Sequence, residues 1–178
     1  MKIMVSGTPG TGKTEVSAIL AEKLKYQLIK INDFAYDNDL IVGQDEKRGS
    51  LLIDTTALES LIKKIKEDCV IEGHLAHFLK ANIVFVLRTN PDTLKKRLKK
   101  RNWLVDKIDE NLEAEILDVC LQEAVDKNKN VYEIDTTKKT PTETMKIILK
   151  IIKKDKNEIK NAKPGNISWN THLNALTE

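Results

Sequence analysis

Apolar positions along this chain alternate between two spacings. Short continuous β-prone runs are followed by stretches in which apolar residues recur every three or four positions. Residues 2–6 form the first such run. Residues 15–24 follow, apolar at 16, 19, 20 and 24, which predicts a helix. Residues 26–31 read as a second strand. Residues 32–50 show no period and are rich in Asp, Asn and Gly, so they read as loop or short helix. A helix is expected over 55–67, capped by Asp54 or Thr55. A third strand spans 69–72 and stops at Gly73. A fourth, 82–88, is continuously apolar, as a strand buried on both faces should be. Pro91 opens a helix to about residue 101, and 102–108 is a short link. Residues 109–127 read as one long helix, 130–134 as a fifth strand, and Pro141 opens a last strong helix to about 154.

This alternation predicts an α/β fold: five parallel strands joined by right-handed crossovers and flanked by helices, in a single domain over 1–160. Ligands in such sheets sit at the carboxyl ends of the strands. The rule gathers the loop after the first strand, Asn32 with Asp33, Glu72 with His74, and Arg88 into one neighbourhood. The last residues, 161–178, hold Pro164-Gly165, several Asn and Trp169 but few periodic apolars. They read as a poorly packed extension, the alternative being a peptide that covers the site or meets a partner through Trp169.

Composition narrows this further. Of 178 residues, 40% are hydrophobic but only 4% aromatic, so the core must be built from Ile, Leu and Val. The formal charge of +3 gives no whole-chain case for nucleic acid. No apolar run approaches the length of a membrane span and no signal peptide is evident, so a cytoplasmic protein without a membrane partner is expected. Cys69 and Cys120 lie far apart in apolar surroundings and read as buried thiols in a reducing compartment. Charge is locally uneven. Lys95, Lys96, Arg97, Lys99, Lys100 and Arg101 crowd one helical stretch, and 138–163 holds nine lysines against three acids. Such runs are ordinarily solvated faces, unless chemistry claims particular members.

Chemistry enters at Gly7-Thr8-Pro9-Gly10-Thr11-Gly12-Lys13-Thr14, which fits the phosphate-binding loop pattern and sits between a strand and a helix as that pattern requires. Glycines let successive N–H groups turn inward, and the helix adds the positive end of its dipole. Lys13 would reach the β- and γ-phosphates of ATP, and Thr14 would offer a hydroxyl to Mg2+. Glu72, ending an apolar strand, could hold that ion or its water beside Thr14. His74 could orient water or phosphate, or act as a base. Arg97 and Arg101 are four residues apart on one helix face next to the link, as phosphate-closing arginines in a lid would be. Arg88 faces the crevice or else anchors its strand in an ion pair. Asn32, Asp33 and Asp54 are candidates for a phosphate acceptor such as a nucleoside monophosphate, with helix capping as the competing reading, above all for Asp54.

These segments together resemble the adenylate kinase isoenzyme six family: the loop at 7–14, Ile31-Asn32, Val70-Ile71-Glu72-Gly73-His74, Val86-Leu87-Arg88-Thr89, and Arg97-Leu98 with Arg101. The resemblance runs over about 1–154. It implies a nucleoside monophosphate kinase-like P-loop fold with an acceptor segment near 32–53 and a short lid near 100–110. The implied activity is phosphate transfer between ATP and a nucleoside monophosphate, with slow ATP hydrolysis. It also implies a role in maturation of the small ribosomal subunit, with the S11-type ribosomal protein as partner and pre-ribosomal RNA involved indirectly. ATP contacts would fall on Gly7, Gly10, Gly12, Lys13, Thr14 and Glu15, the lid arginine on Arg101, the acid-x-His pair on Glu72 and His74, and a late lysine near the adenine on Lys139. The family often has Thr where this chain has Glu15, and commonly Asp at Glu72. The Lys- and Ile-rich usage looks archaeal. Two alternatives stay open: an ATP-hydrolysing assembly switch with little kinase activity, and a small-metabolite kinase on the same scaffold.

Overall fold

The computed structural model describes residues 1–45 and 50–176. Part of the 32–53 segment, residues 46–49, and the last two residues of the tail lie outside the described chain.

Five strands form one sheet in the order β2-β5-β1-β6-β7. They are β1 (Lys2–Ser6), β2 (Gln27–Lys30), β5 (Cys69–Glu72), β6 (Ile83–Arg88) and β7 (Val131–Asp135). All pairings are parallel: Ile3 lies opposite Val70 on one side and Ile83 on the other. The fold class read from the sequence is the observed one. β1 is central, so its side chains are buried on both faces. Ile3 and Val5 enter a core with Val16 and Leu20 of α1 (Lys13–Leu24) and Met145 and Ile148 of α7 (Pro141–Ile152). Met4 points the other way, toward Leu58 and Ile62 of α3 (Thr55–Lys64) and Leu121 and Ala124 of α6 (Val119–Lys127). Period-two alternation on a central strand therefore feeds two helical layers.

Three sequence expectations are revised. The 32–53 segment holds the short helix that was one of its two readings and, beyond a turn at 38–40, a hairpin that was not expected. Ile31 opens α2 (Ile31–Asp37), and Ile41–Asp45 (β3) pairs antiparallel with Ser50–Ile53 (β4). Second, the expected helix over 109–127 is two helices, α5 (Val105–Ile116) and α6. Asp118 sits at φ 58, left-handed, and breaks the run. The break leaves the Glu115 carbonyl free to accept from Arg88 Nη2 at 2.9 Å. The link before α5 is correspondingly shorter, because Ile108 and Leu112 pack on Leu94 and Leu98 of α4 (Pro91–Lys99), with Trp103 against them.

Third, the tail is largely exposed, as expected, but it is tied to the domain by specific contacts. Lys156–Asn161 forms α8, and Ala162 is buried. The Glu133 N–H donates to the Ala162 carbonyl at 2.9 Å, and the Ile167 N–H donates to Glu133 Oε1 at 2.9 Å. The segment thus runs back along the edge strand β7. Among the described residues, no helix is long and apolar enough to cross a membrane.

Candidate active site

The phosphate loop is shaped by close backbone approach. A Cβ on Gly7, at φ +133, would lie 2.3 Å from the Leu87 carbonyl oxygen. Only glycine fits there. Gly12, at φ 95, caps α1 with no side-chain hydrogen bond to the helix. The first-turn N–H groups of a 12-residue helix are therefore offered to the crevice with the dipole behind them.

Lys13 is buried, and its Nζ donates to the Thr8 carbonyl at 3.1 Å. Burial lowers its pKa to about 8. Thr14 Oγ1 lies 3.5 Å from both oxygens of Glu72. Burial pushes the Glu72 carboxyl up, while Lys13 and then Lys30 pull it back. The His74 ring stands at the crevice rim with Nδ1 3.5 Å from the Gly7 carbonyl. Desolvation by the crevice walls, and then Lys13, lower its pKa and favour the neutral ring.

Three adjoining cavities follow from this arrangement. One, of about 420 Å³, is lined by Gly10, Gly12, Glu15, Arg101, Lys139 and Pro141. A second, of about 320 Å³, holds Lys13, Thr14, Lys30, Asn32, Asp33, Glu72 and His74. Arg101 borders both. A third, of about 660 Å³, shares Asn32, His74 and Trp103 with the second and adds Leu51, Ile53, Leu75 and Asn111. The crevice thus runs from the α7 side, past the phosphate loop, to the hairpin β3–β4.

Most of the residues singled out from sequence lie on this crevice; Arg88 and Asp54 take the competing structural role the sequence left open to them, and Arg97 acts differently from expectation. Arg88 is 1% exposed and faces inward. It donates to Glu115 Oε1 at 2.8 Å and Glu133 Oε2 at 3.2 Å, and it pairs with Asp118. That ion cluster decides between acceptor contact and strand anchor: three carboxylates hold the guanidinium behind the strand end. Asp54 caps α3, accepting from the Thr56 and Ala57 N–H groups at 3.0 and 2.9 Å, and lines none of the three cavities. Arg97 borders the first cavity, yet its guanidinium donates to the carbonyls of Gly10, Thr136 and Thr137. It fastens the phosphate loop to the end of β7 rather than pointing at a transferred group. Lys139 lines the same cavity and donates to the Asp135 carbonyl at 2.9 Å.

Trp103 was not anticipated. It walls both inner cavities, with Lys107 Nζ 4.4 Å from its ring centroid. A lone aromatic two residues after Arg101, in so aromatic-poor a chain, was the available signal.

The oxygens of Thr14 and Glu72 suit Mg2+. Two neighbouring ligands on an octahedral Mg2+, each about 2.1 Å from the ion, stand about 3 Å apart. The observed 3.5 Å needs only a small adjustment. Among the described residues, no group of three or more His, Cys, Asp or Glu could hold a metal ion. A Mg2+ here would thus draw its other ligands from water and phosphate, as is usual for this ion.

A family model described as "AAA domain" matches residues 3–118. The chain is 43% identical over 173 residues to a protein of Archaeoglobus fulgidus named "Putative adenylate kinase", covering 97% of this chain and 94% of that one. A protein of the same name from Thermococcus kodakarensis is 45% identical over 156 residues, covering 86% of each. Among solved structures, shikimate kinase from Acinetobacter baumannii superposes with TM-score 0.64 at 18% identity, covering 87% of this chain and 94% of that one. Deoxyadenosine kinase from M. mycoides superposes with TM-score 0.59 at 16% identity, covering 86% and 100%. At such identities the structures speak for the fold alone.

Proposed function

This chain belongs to the AAA-domain family and, within it, to the archaeal adenylate-kinase-like proteins, and we propose that it transfers a phosphoryl group from Mg-ATP to a nucleoside monophosphate, AMP foremost. The observation that carries the reading is the convergence of Lys13, Thr14, Glu72 and Arg101 on one cavity, with a roomier one beyond it. Phosphoryl transfer needs positioning and charge neutralisation more than covalent chemistry. ATP lies along the first cavity with its base toward Lys139 and Pro141, and its phosphates meet the N–H groups at the start of α1. Lys13 binds the β- and γ-phosphates. Thr14 and Glu72 hold Mg2+, which supplies further neutralisation when bound. Arg101, bordering both cavities, steadies the transferred group from the lid near 100–110.

The monophosphate occupies the third cavity. Leu51, Ile53, Leu75 and Trp103 offer flat apolar surface suited to a nucleobase, and Asn32 and Asn111 offer amides to its edge. Asn32 and Asp33 stand where the acceptor's ribose and phosphate enter. Residues 1–160 form this kinase unit.

Slow ATP hydrolysis belongs to the same proposal. His74, held in its neutral form beside Glu72, can orient a water when no acceptor is present. A companion part in maturation of the small ribosomal subunit, with the S11-type protein as partner, is supported by the family resemblance of 1–154. The first experiment is ADP formation from Mg-ATP, alone and with each monophosphate, on wild type and Lys13→Ala. Strong AMP dependence that the variant loses supports the kinase. ADP release indifferent to every monophosphate overturns it in favour of a hydrolysing switch.

A further inference from the structure

Glu115, at the end of α5, is 1% exposed and joins three parts of the molecule. Its Oε2 accepts from Thr8 Oγ1, inside the phosphate loop, at 2.6 Å. Its Oε1 accepts from Arg88 Nε at 2.8 Å, from the Thr89 N–H at 3.0 Å, and from the indole N–H of Trp169 at 3.1 Å. Neither Glu115 nor Trp169 borders the three cavities of the crevice. Thr8 in turn is a hub of the loop: its carbonyl accepts from Lys13 Nζ at 3.1 Å and from Thr11 Oγ1 at 2.8 Å.

We infer that Glu115 is a positioning residue for the phosphate loop, acting through Thr8, and that Trp169 sets Glu115, so that the C-terminal segment tunes the affinity for the triphosphate from outside the crevice. The inference rests on reading the loop as the ATP site. A carboxylate held by four donors has little rotamer freedom left, and it fixes the Thr8 side chain on the residue whose carbonyl accepts from Lys13 Nζ. The charge balance points the same way. Arg88 is one guanidinium among the carboxylates of Glu115, Asp118 and Glu133. The cluster therefore carries excess negative charge directly behind a loop built to receive an anion. Each neutral donor on Glu115 offsets part of that charge. Removing the Trp169 N–H frees the carboxylate to shift and leaves more of its field uncompensated, and both effects disfavour a bound triphosphate.

The test is calorimetric titration of the full chain with Mg2+ and a non-hydrolysable ATP analogue, alongside steady-state kinetics. Trp169→Phe keeps the ring and removes the donor; Thr8→Val keeps the shape and removes the hydroxyl. Each should weaken analogue binding about 3- to 10-fold. The double variant should be no weaker than the worse single one, because both act on one carboxylate. Thr8→Ser, which restores a hydroxyl, should bind as wild type does. The KM for ATP should rise in Trp169→Phe while the KM for AMP and kcat stay put. Wild-type affinity in Trp169→Phe, or factors that simply multiply in the double variant, would overturn the inference and leave the ATP reading intact. A wild-type protein that binds no analogue overturns both.

Discussion

Lys13 donates its ammonium to the carbonyl of Thr8, five residues earlier, at 3.1 Å. The cation of the phosphate loop is therefore held by the loop's own backbone, in a place where burial brings its pKa down to about 8. The unfolded chain binds that proton more tightly than the folded one. Stability contributed at this site is thus lowest at neutral pH and rises as pH climbs from about 8 toward 10.5. Carrying the ammonium at pH 7 costs about 3 kcal/mol on this reckoning, less what the hydrogen bond returns. Lys13→Met should accordingly raise stability at pH 7 by about 2 kcal/mol and abolish ADP formation. Urea midpoints at pH 7 and pH 10 check this, since the gain should shrink at the higher pH.

Glu72 faces Thr14 across 3.5 Å, a spacing suited to sharing a divalent ion. Glu72→Gln keeps the shape and removes the charge. ADP formation should fall about 10- to 100-fold, with more Mg2+ needed to reach half-maximal rate. Glu72→Asp should retain most of the Mg2+ response. A Mg2+ titration at fixed ATP distinguishes the three proteins, and an unchanged Mg2+ requirement in Glu72→Gln would remove this residue from the metal site.

Arg88 is enclosed by Glu115, Asp118 and Glu133. Removing it strands buried carboxylates, so Arg88→Met should cost about 3–5 kcal/mol of stability. Thermal or urea unfolding measures that directly. Were the guanidinium an acceptor contact after all, the variant would stay stable and show a selective rise in the KM for the monophosphate.

His77 is 1% exposed, with Nδ1 2.8 Å from Ser6 Oγ and Nε2 2.8 Å from Glu123 Oε2. Burial, and then His74, lower its pKa to about 4. Here too the unfolded chain is the better proton acceptor. The stability it contributes is complete above about pH 6.5 and falls as pH drops toward 4, less what the Glu123 carboxylate returns to a protonated ring. Urea midpoints across that range should drop steeply in wild type and less steeply in His77→Leu.

Much of this was legible because its causes are local. The phosphate loop, the central strands and the α1 periodicity depend on neighbours in sequence, so pattern alone places them. The misreadings share the opposite property. Arg88 was open to either role because the residues that claim it lie at 115, 118 and 133. The break at Asp118 interrupts no apolar period, and it lies beside a Glu115 carbonyl that also accepts from a guanidinium of β6, a partner distant in sequence. The tail lacks periodic apolars because it is held by hydrogen bonds to Glu133 and Glu115 rather than by a hydrophobic face. The hairpin β3–β4 escaped notice because the sequences of its two strands show no apolar–polar alternation and both are partly exposed.

The strand nearest the amino end is the middle of the sheet, flanked by strands that begin at Cys69 and Ile83. Until both arrive, β1 has no parallel neighbour on either side, and the turn that follows it lacks the Leu87 carbonyl against which Gly7 is fitted. Assembly therefore waits on distant contacts, the kind that slow folding and leave apolar strands exposed meanwhile. The eight residues of the loop are a portable word but not a portable anion receptor: grafted onto another strand and helix without the surrounding hundred residues, they should be a flexible glycine turn.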